Sequence, residues 1–393
     1  MPVNNGNVAE QAYAYINAIH DQATGETTLA PLNHEQFISI AQKTLAAGYE
    51  QVTNAISTVV SRTLVAVRPY ERKFADLEAT NERWGGWMRK INFGDNEVES
   101  DKGYMLVDGQ SIDPFVVKKT PTLETLYLGA DTWQDHYTLP KDQLNAAFQS
   151  EQGLFDLVSG IAMHFNNQRE QHLENFARQT LGALMLGRKA SETANGDSVV
   201  HLVTEYNTAT GGTYTLADLM KPDMIKGFYQ FVIGKVAGIS RRMTERSQLY
   251  QNKITGYKIN RHTPRADQRV YLLADVMETI ASQVETNTFN TEFLSIPEHE
   301  SVSFWQSIEA PDELSGVPPM INADGTLATG TQTAMSKVFG IILDRDAAGY
   351  NIFFDEMEPA IYNPNGRYWN FFHAVRAQSQ VDLTEKSVLL LLD

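Results

Sequence analysis

The chain has 393 residues, no cysteine and a formal net charge of -16 at neutral pH. This length predicts two domains, or one large domain with long excursions. The missing cysteine excludes disulfides, thiolate zinc sites and cysteine nucleophiles, and the acidic balance argues against a general affinity for nucleic acid. The polar first ten residues carry no secretion signal and no apolar run approaches a membrane span, so we expect a soluble protein without membrane contact.

The first sixty residues predict an extended N-terminal arm with one short helix, followed by lead-in helices. Asn33 is typical of a helix N-cap, and Gln36 stands at the third position after it. Leu64, Ala66 and Val67 then indicate a short strand.

The stretch 83–137 consists of short strand-like runs that lead out and back around an acidic, turn-rich middle. It has too little apolar surface to fold alone, so it is either disordered or completed by another chain. Trp84, Trp87, Arg89 and Lys90 favour completion by another chain, because aromatic residues and arginine are enriched at interface centres. An internal hairpin lying on its own domain is the other interpretation.

Residues 154–188 predict one long amphipathic helix, because their apolar side chains recur at a spacing close to 3.6 residues. Ser150 is the predicted cap and Gly187 the predicted stop. The opposite face is charged with both signs and is expected to be wet. A coiled coil is disfavoured because polar residues and Gly182 interrupt the apolar heptads. The predicted core-facing residues are Leu154, Val158, Ile161, Phe165, Leu173 and Phe176.

No motif with a catalytic or nucleotide-binding mechanism is present, so we predict no enzyme and no cofactor. His164 and His172 lie near Glu170 and Glu174 and are a candidate metal site, but the metalloprotease helix pattern is missing. Solvated histidines explain this pattern as well, and no metal site is predicted.

The region 222–365 alternates predicted helix and strand like an α/β unit. A helix is predicted over 222–246, and buried strands are predicted at 269–274, 338–344 and 352–357. A further strand is predicted over 199–203.

The tail carries the most informative pattern. An aromatic segment runs from Asn363 to Asn370, and after a polar turn the chain ends in an aliphatic run. Such a run must be tied into a sheet, since it would otherwise promote aggregation. The predicted C-terminal strand comprises Val388, Leu389, Leu390, Leu391 and Leu392.

This tail resembles the C-terminal end of major capsid proteins of tailed bacteriophages with the Hong Kong 97-type fold. There, an aromatic strand of the type Asn-Pro-x-Gly-x-Tyr-x-Asn leads by a polar turn to a final aliphatic strand. The order of elements extends the resemblance over most of the chain and implies an α+β class with a peripheral sheet formed by 62–68, 197–206 and 367–393. The implied parts are an N-terminal arm with lead-in helices (1–60), an E-loop (81–139), a spine helix (150–188), a P-domain (61–80, 140–221 and 367–393) and an A-domain (222–366).

The resemblance also implies a function. Pentamers and hexamers would form an icosahedral shell around double-stranded DNA, with Trp84, Trp87, Arg89 and Lys90 anchoring the E-loop over an adjacent subunit. Implied partners are portal, scaffolding and decoration proteins, together with packaged DNA in weak, non-specific contact. The implied location is the virion capsid, after assembly in the host cytoplasm. An encapsulin-like nanocompartment shell and a soluble α/β enzyme are the alternatives.

Overall fold

The structure is a computed structural model that describes residues 5–27, 31, 33–61, 70–79, 87–96, 98–278 and 299–393. The described chain mixes helices with several separate sheets. Within it, no helix is both long enough and apolar enough to cross a membrane. The helices are α1 (Asn5–Thr24), α2 (His34–Ala46), α3 (Tyr49–Ser61), α4 (Lys141–Ala147), α5 (Glu151–Ala190), α6 (Leu202–Thr210), α7 (Leu216–Leu219) and α8 (Ile225–Met243).

The strands follow the same chain order. They are β1 (Trp87–Phe93), β2 (Thr122–Leu128), β3 (Asp131–Pro140), β4 (Val199–His201), β5 (Gln268–Leu273), β6 (Glu300–Val302), β7 (Leu314–Gly316), β8 (Pro319–Ile321), β9 (Leu327–Thr329), β10 (Thr333–Met335), β11 (Val338–Asp344), β12 (Ala348–Asn363), β13 (Tyr368–Val381) and β14 (Ser387–Leu391). The predicted strand at 64–67 lies outside the described residues.

Helices α1, α2 and α3 pack with the first half of α5. The expected extended arm with one short helix is wrong, because α1 has 20 residues and buries Ile16 and Ile19 completely. These side chains and Ala12 recur every three or four residues, which is the spacing of a helix face. Asn33 caps α2 as predicted, since its Oδ1 accepts a hydrogen bond from the backbone N–H of Gln36 at 2.9 Å.

Helix α5 has 40 residues, which gives a length of about 60 Å. Ser150 caps it as predicted, because its Oγ accepts a hydrogen bond from the Gly153 N–H at 3.1 Å. The predicted stop at Gly187 is wrong, since the helix continues to Ala190. A β-carbon at Gly187 would lie 3.0 Å from a methyl of Leu383 and 3.1 Å from the Pro319 carbonyl oxygen. Glycine therefore permits close packing here and does not end the helix.

The two halves of α5 have different surroundings. The first half packs with the N-terminal helices, whereas the second half contacts strands of both larger sheets. The charged face was expected to be wet throughout, but Glu174 and Arg178 in the second half are buried. The guanidinium of Arg178 donates to Glu174 Oε1 from Nε at 3.0 Å and from Nη2 at 2.6 Å, and it lies 3.9 Å from the ring centroid of Phe304. The buried positions of α5 include Leu154, Val158, Ile161, Phe165, Leu173 and Phe176.

Two sheets form the body, and both contact the second half of α5. One has three antiparallel strands in the order β12-β13-β3. The other has five strands in the order β4-β14-β11-β5-β6, with β14 antiparallel to β11 and parallel to β4. Val388, Leu389, Leu390 and Leu391 lie in β14, Leu392 follows it, and all five side chains are buried.

The predicted grouping of strands into sheets is wrong. The expected sheet joined 197–206 with all of 367–393, but β13 and β14 lie in different sheets. Strand β12, which was assigned with β5 and β11, instead pairs with β13. The division occurs at the buried turn 382–386, which carries the chain from the three-stranded sheet to an interior strand of the five-stranded one.

The predicted strand over 199–203 is too long. Strand β4 ends at His201 and α6 begins at Leu202. Leu202, Val203 and Tyr206 are buried at helical spacing, which explains the change of structure within an apolar run.

Candidate intersubunit interface

A two-stranded ribbon forms a sheet of its own, separate from the two larger sheets. Strands β1 and β2 pair antiparallel, with Lys90 opposite Thr125 and Phe93 opposite Thr122. The prediction that 83–137 leads out and back is confirmed for these strands. We use "ribbon" for β1, β2 and their connection, and "ribbon tip" for the described residues of 98–119.

The ribbon has two unlike faces because side chains alternate along a strand. Asn92, Leu123, Thr125 and Tyr127 are buried on the face toward the body. The opposite face is solvent-exposed and comprises Arg89, Ile91, Phe93, Glu124 and Leu126. We call this second set the outer ribbon face.

The inward face is attached to the body at several points. Leu123 packs with Ile254 and Ile259 in a small apolar cluster. The side-chain amide of Gln378 on β13 donates a hydrogen bond to the Tyr127 carbonyl oxygen at 2.6 Å. The base of the ribbon therefore lies on its own chain, in agreement with the internal-hairpin interpretation.

The ribbon tip has no such support. Every residue of 98–119 whose exposure the structure describes is exposed, including large apolar side chains. Val98 is 99% exposed, Tyr104 is 92% and Phe115 is 85%. Contiguous apolar surface of this kind is uncommon on monomeric proteins and marks contact sites. The exposed apolar residues of the tip are Val98, Tyr104, Met105, Leu106, Val107, Ile112, Phe115, Val116 and Val117.

The four predicted anchor residues occupy different positions. Trp84 lies outside the described residues, and Trp87 is the first residue of β1. Arg89 lies on the outer ribbon face, where Nη2 donates to Glu124 Oε2 at 2.9 Å. That carboxylate raises the pKa of Arg89, and Arg89 lowers the pKa of Glu124. The pair is exposed and stays available for a contact, so this role of Arg89 remains a prediction.

Lys90 faces the other way. Its ammonium lies 2.7 Å from Asp382 Oδ2 and 2.5 Å from Glu385 Oε1, both in its own chain. The sequence predicted an intersubunit contact for Lys90, whereas in the structure its ammonium group pairs with carboxylates of its own chain. A single step along a strand separates Arg89 on one face from Lys90 on the other.

The apolar ribbon tip was missed in the sequence. The middle of the stretch was treated as acidic and turn-rich because of residues such as Asp101 and Asp108. The runs 104–107 and 115–117 are nevertheless apolar, and they are the signal that predicts a contact surface.

The residues of the candidate metal site do not converge. His164 Nε2 lies 3.3 Å from Asp135, while the ring of His172 lies 6.1 Å from that of Trp133. The carboxylate of Glu174 forms an ion pair with Arg178. Among the described residues, no group of histidines and carboxylates has the arrangement of a metal site.

Solved structures define the class of protein. Over 84% of this chain and 87% of the other, the fold matches the capsid structure of Staphylococcus phage Andhra, with a TM-score of 0.53 and 12% identity. A match of the same extent and TM-score, with 13% identity, is found in the structure of the head fibre and inner core protein gp22 of native bacteriophage P68. The fold is therefore that of phage capsid proteins of the Hong Kong 97 type. A comparison with curated protein sequences gave no significant match.

The family follows from the sequence itself. Residues 16–390 match the model of the Phi29-like phage major capsid proteins. This match covers nearly all of the chain, so the chain belongs to that family. It is a structural protein of a tailed phage virion, which the match favours over a nanocompartment shell.

Proposed function

We propose that this subunit forms the pentamers and hexamers of an icosahedral shell that encloses double-stranded DNA, and that the ribbon tip lies on an adjacent subunit. The exposed apolar tip is the observation that carries the proposal. A second copy would cover this surface in a closed shell, and many modest contacts would add up around it. No catalysis or cofactor is part of this role.

The remaining partners follow from the same role. A shell of this kind needs a portal for DNA entry and a scaffolding protein during assembly in the host cytoplasm, and decoration proteins would bind its outer surface. The net charge of -16 supports only weak, non-specific contact with packaged DNA. We also retain the prediction that Trp87→Ala leaves a folded subunit but impairs shells.

The proposal is tested by a triple change in the ribbon tip, Tyr104→Ser, Phe115→Ser and Val117→Ser. These side chains are exposed in the subunit, so the thermal midpoint should stay within about 3 °C, since surface changes alter stability by only about 0.5 kcal/mol each. Shell formation should be lost, measured as particle mass by light scattering and negative-stain electron microscopy, with the scaffolding protein supplied where the subunit alone does not assemble.

Leu327→Ser is the matched control, because Leu327 is an exposed aliphatic residue of β9 and lies outside the ribbon tip. It should leave shell yield unchanged. Normal shells from the triple variant would contradict the proposed role of the tip. A wild-type chain that stays a small oligomer with scaffold present would contradict the shell itself.

A further inference from the structure

The turn between β13 and β14 is unusual because it is both charged and buried. Asp382 is 1% exposed and Glu385 is 6% exposed, and Thr384 between them is buried as well. Asp382 Oδ1 accepts hydrogen bonds from the N–H and hydroxyl of Thr384 at 2.7 and 2.6 Å, which fixes the turn locally. Two buried carboxylates this near in sequence require cations, because a buried charge without a partner is strongly unfavourable. We call this turn, 382–386, the carboxylate socket.

The ribbon supplies one of those cations. Lys90 reaches both carboxylates, at 2.7 Å from Asp382 and 2.5 Å from Glu385. Burial lowers the pKa of Lys90, but attraction to the two carboxylates outweighs it and the net pKa is raised. Burial likewise raises the pKa of Asp382, yet Lys90 brings the net pKa below its ordinary value. The pair is therefore charged at neutral pH.

Arg261 ties the socket to the ribbon a second time. Its Nη1 lies 2.5 Å from Glu385 Oε1, and its Nε donates to the Thr384 carbonyl oxygen at 2.8 Å. Its Nη2 donates to Asn92 Oδ1 on β1, also at 2.8 Å. Lys90 and Asn92 are two residues apart on one strand, so both contacts lie on the inward face of the ribbon.

Arg188 connects the same turn to the long helix. Its side chain is fully buried and donates to Ser387 Oγ at 2.6 Å, to Asn252 Oδ1 at 2.9 Å and to the Glu385 carbonyl oxygen at 2.5 Å. Burial lowers its pKa to about 10, which leaves it charged at neutral pH. Arg188 of α5 therefore holds the backbone of the socket, and Lys90 of β1 pairs with its two carboxylates.

We infer that the carboxylate socket is the binding site for Lys90 and that this contact sets the angle at which the ribbon leaves the body. A second ion pair between the ribbon and the body, Asp95 with Arg246, involves an arginine side chain that is 62% exposed, and exposed pairs contribute little. Removing the lysine would leave two buried carboxylates short of a cation, which is far more unfavourable than losing an exposed pair.

The consequence for assembly rests on the proposed function of the ribbon tip. The tip lies beyond the socket, so a small rotation at Lys90 moves it by a larger distance. Helix α5, β1 and the turn before β14 meet at one point, and a change in any one of them is passed to the direction of the ribbon. Re-aiming the ribbon then requires the contact between Lys90 and the socket to break.

The inference is tested by measuring the direction of the ribbon within one subunit. The chain has no cysteine, so Asp113→Cys in the ribbon tip and Lys226→Cys on α8 give two unique spin-label sites, both exposed. Labelled chain is diluted with an excess of unlabelled chain, and the distance distribution is recorded by double electron–electron resonance. We expect a narrow distribution, which Lys90→Met should broaden at least twofold or shift.

The matched control is Arg89→Met, one residue away on the outer ribbon face, which should leave the distribution unchanged. Lys90→Arg should restore the narrow distribution, and Asp382→Asn in the Lys90→Met background should narrow it in part by removing an unpaired carboxylate. A distribution unaltered by Lys90→Met, or equally broad for Lys90→Arg, would overturn the inference. Shell formation by the wild type is recorded separately, so failure of the shell proposal does not alter this intramolecular readout.

Discussion

Two apolar stretches of this chain have opposite fates. Residues 388–392 are buried at an interior strand of a five-stranded sheet, whereas the apolar runs of the ribbon tip, 104–107 and 115–117, are exposed. Strand β14 has β11 on one side and β4 on the other, so its backbone and side chains are covered within the chain. The described residues leave the large apolar side chains of the ribbon tip exposed. Apolar composition alone thus indicates that a segment is covered, and only the fold shows whether its own chain supplies the cover.

The largest expected contrast comes from the same type of change in each stretch. Leu390→Ser should destabilise the subunit by about 5 kcal/mol, because it leaves a cavity worth about 2–5 kcal/mol and a buried hydroxyl worth about 1–3 kcal/mol. Phe115→Ser should change the free energy of unfolding by no more than about 0.5 kcal/mol. Urea unfolding of the two variants measures both, and equal losses of stability would remove the distinction between the stretches.

The next largest expected difference in stability is between a buried ion pair of the body and an exposed ion pair of the ribbon. Glu174→Ala leaves the buried Arg178 without its carboxylate partner and should lower the free energy of unfolding by about 3 kcal/mol. Glu124→Ala removes the exposed partner of Arg89 on the ribbon and should destabilise the subunit far less, because exposed pairs contribute little. Thermal unfolding of the two variants measures the two losses of stability and shows whether the first is the larger. A large loss from Glu124→Ala would mean that the outer ribbon face is already engaged within the subunit.

The smallest expected effect on stability comes from His201, which pairs with Asp393 just after the buried residues 388–392. His201 lies 2.5 Å from both Glu192 and Asp393, and Lys189 also pairs with Glu192. Burial lowers the pKa of His201, but the two carboxylates outweigh it and the net pKa lies above 6.5. The stabilisation is therefore fully present below pH 6.5 and is lost as the pH rises through the raised pKa.

His201→Gln should accordingly destabilise the subunit by about 0.5–1 kcal/mol at pH 6, and the difference from wild type should shrink at higher pH. Thermal midpoints measured from pH 5.5 to 9 provide the check. A difference that grows with pH would show that the imidazole is bound in its neutral form.

The long helix, the core-facing side of that helix and the strands β5, β11 and β14 could be predicted from the sequence. Each depends on a local period or a continuous aliphatic run, such as Val388 to Leu392, and neither needs knowledge of the rest of the chain. The cap at Ser150 is local in the same sense.

What could not be predicted depends on contacts between distant segments. The burial of Glu174 and Arg178 arises because Tyr70, Phe74 and Phe304, from segments distant in the sequence, pack on this face of α5. A helical pattern does not show how many sides of a helix are covered. The assignment of β12 and β13 to a separate sheet depends on the buried turn 382–386, whose charged residues would ordinarily predict a surface loop. Lys90 was placed in an interface because its neighbours favour one, but it lies on the face of β1 that packs on the body, where it pairs with Asp382 and Glu385 from a segment distant in the sequence.

Hydrogen–deuterium exchange over 98–120, in assembled shells and in unassembled subunits, tests the proposed contact of the ribbon tip most directly. The tip is exposed in the subunit, so its amides should exchange quickly there and at least tenfold more slowly in the shell, while β14 stays protected in both states. Exchange of 98–120 that is equally fast in shells and subunits would contradict the proposal that a neighbouring copy covers the ribbon tip.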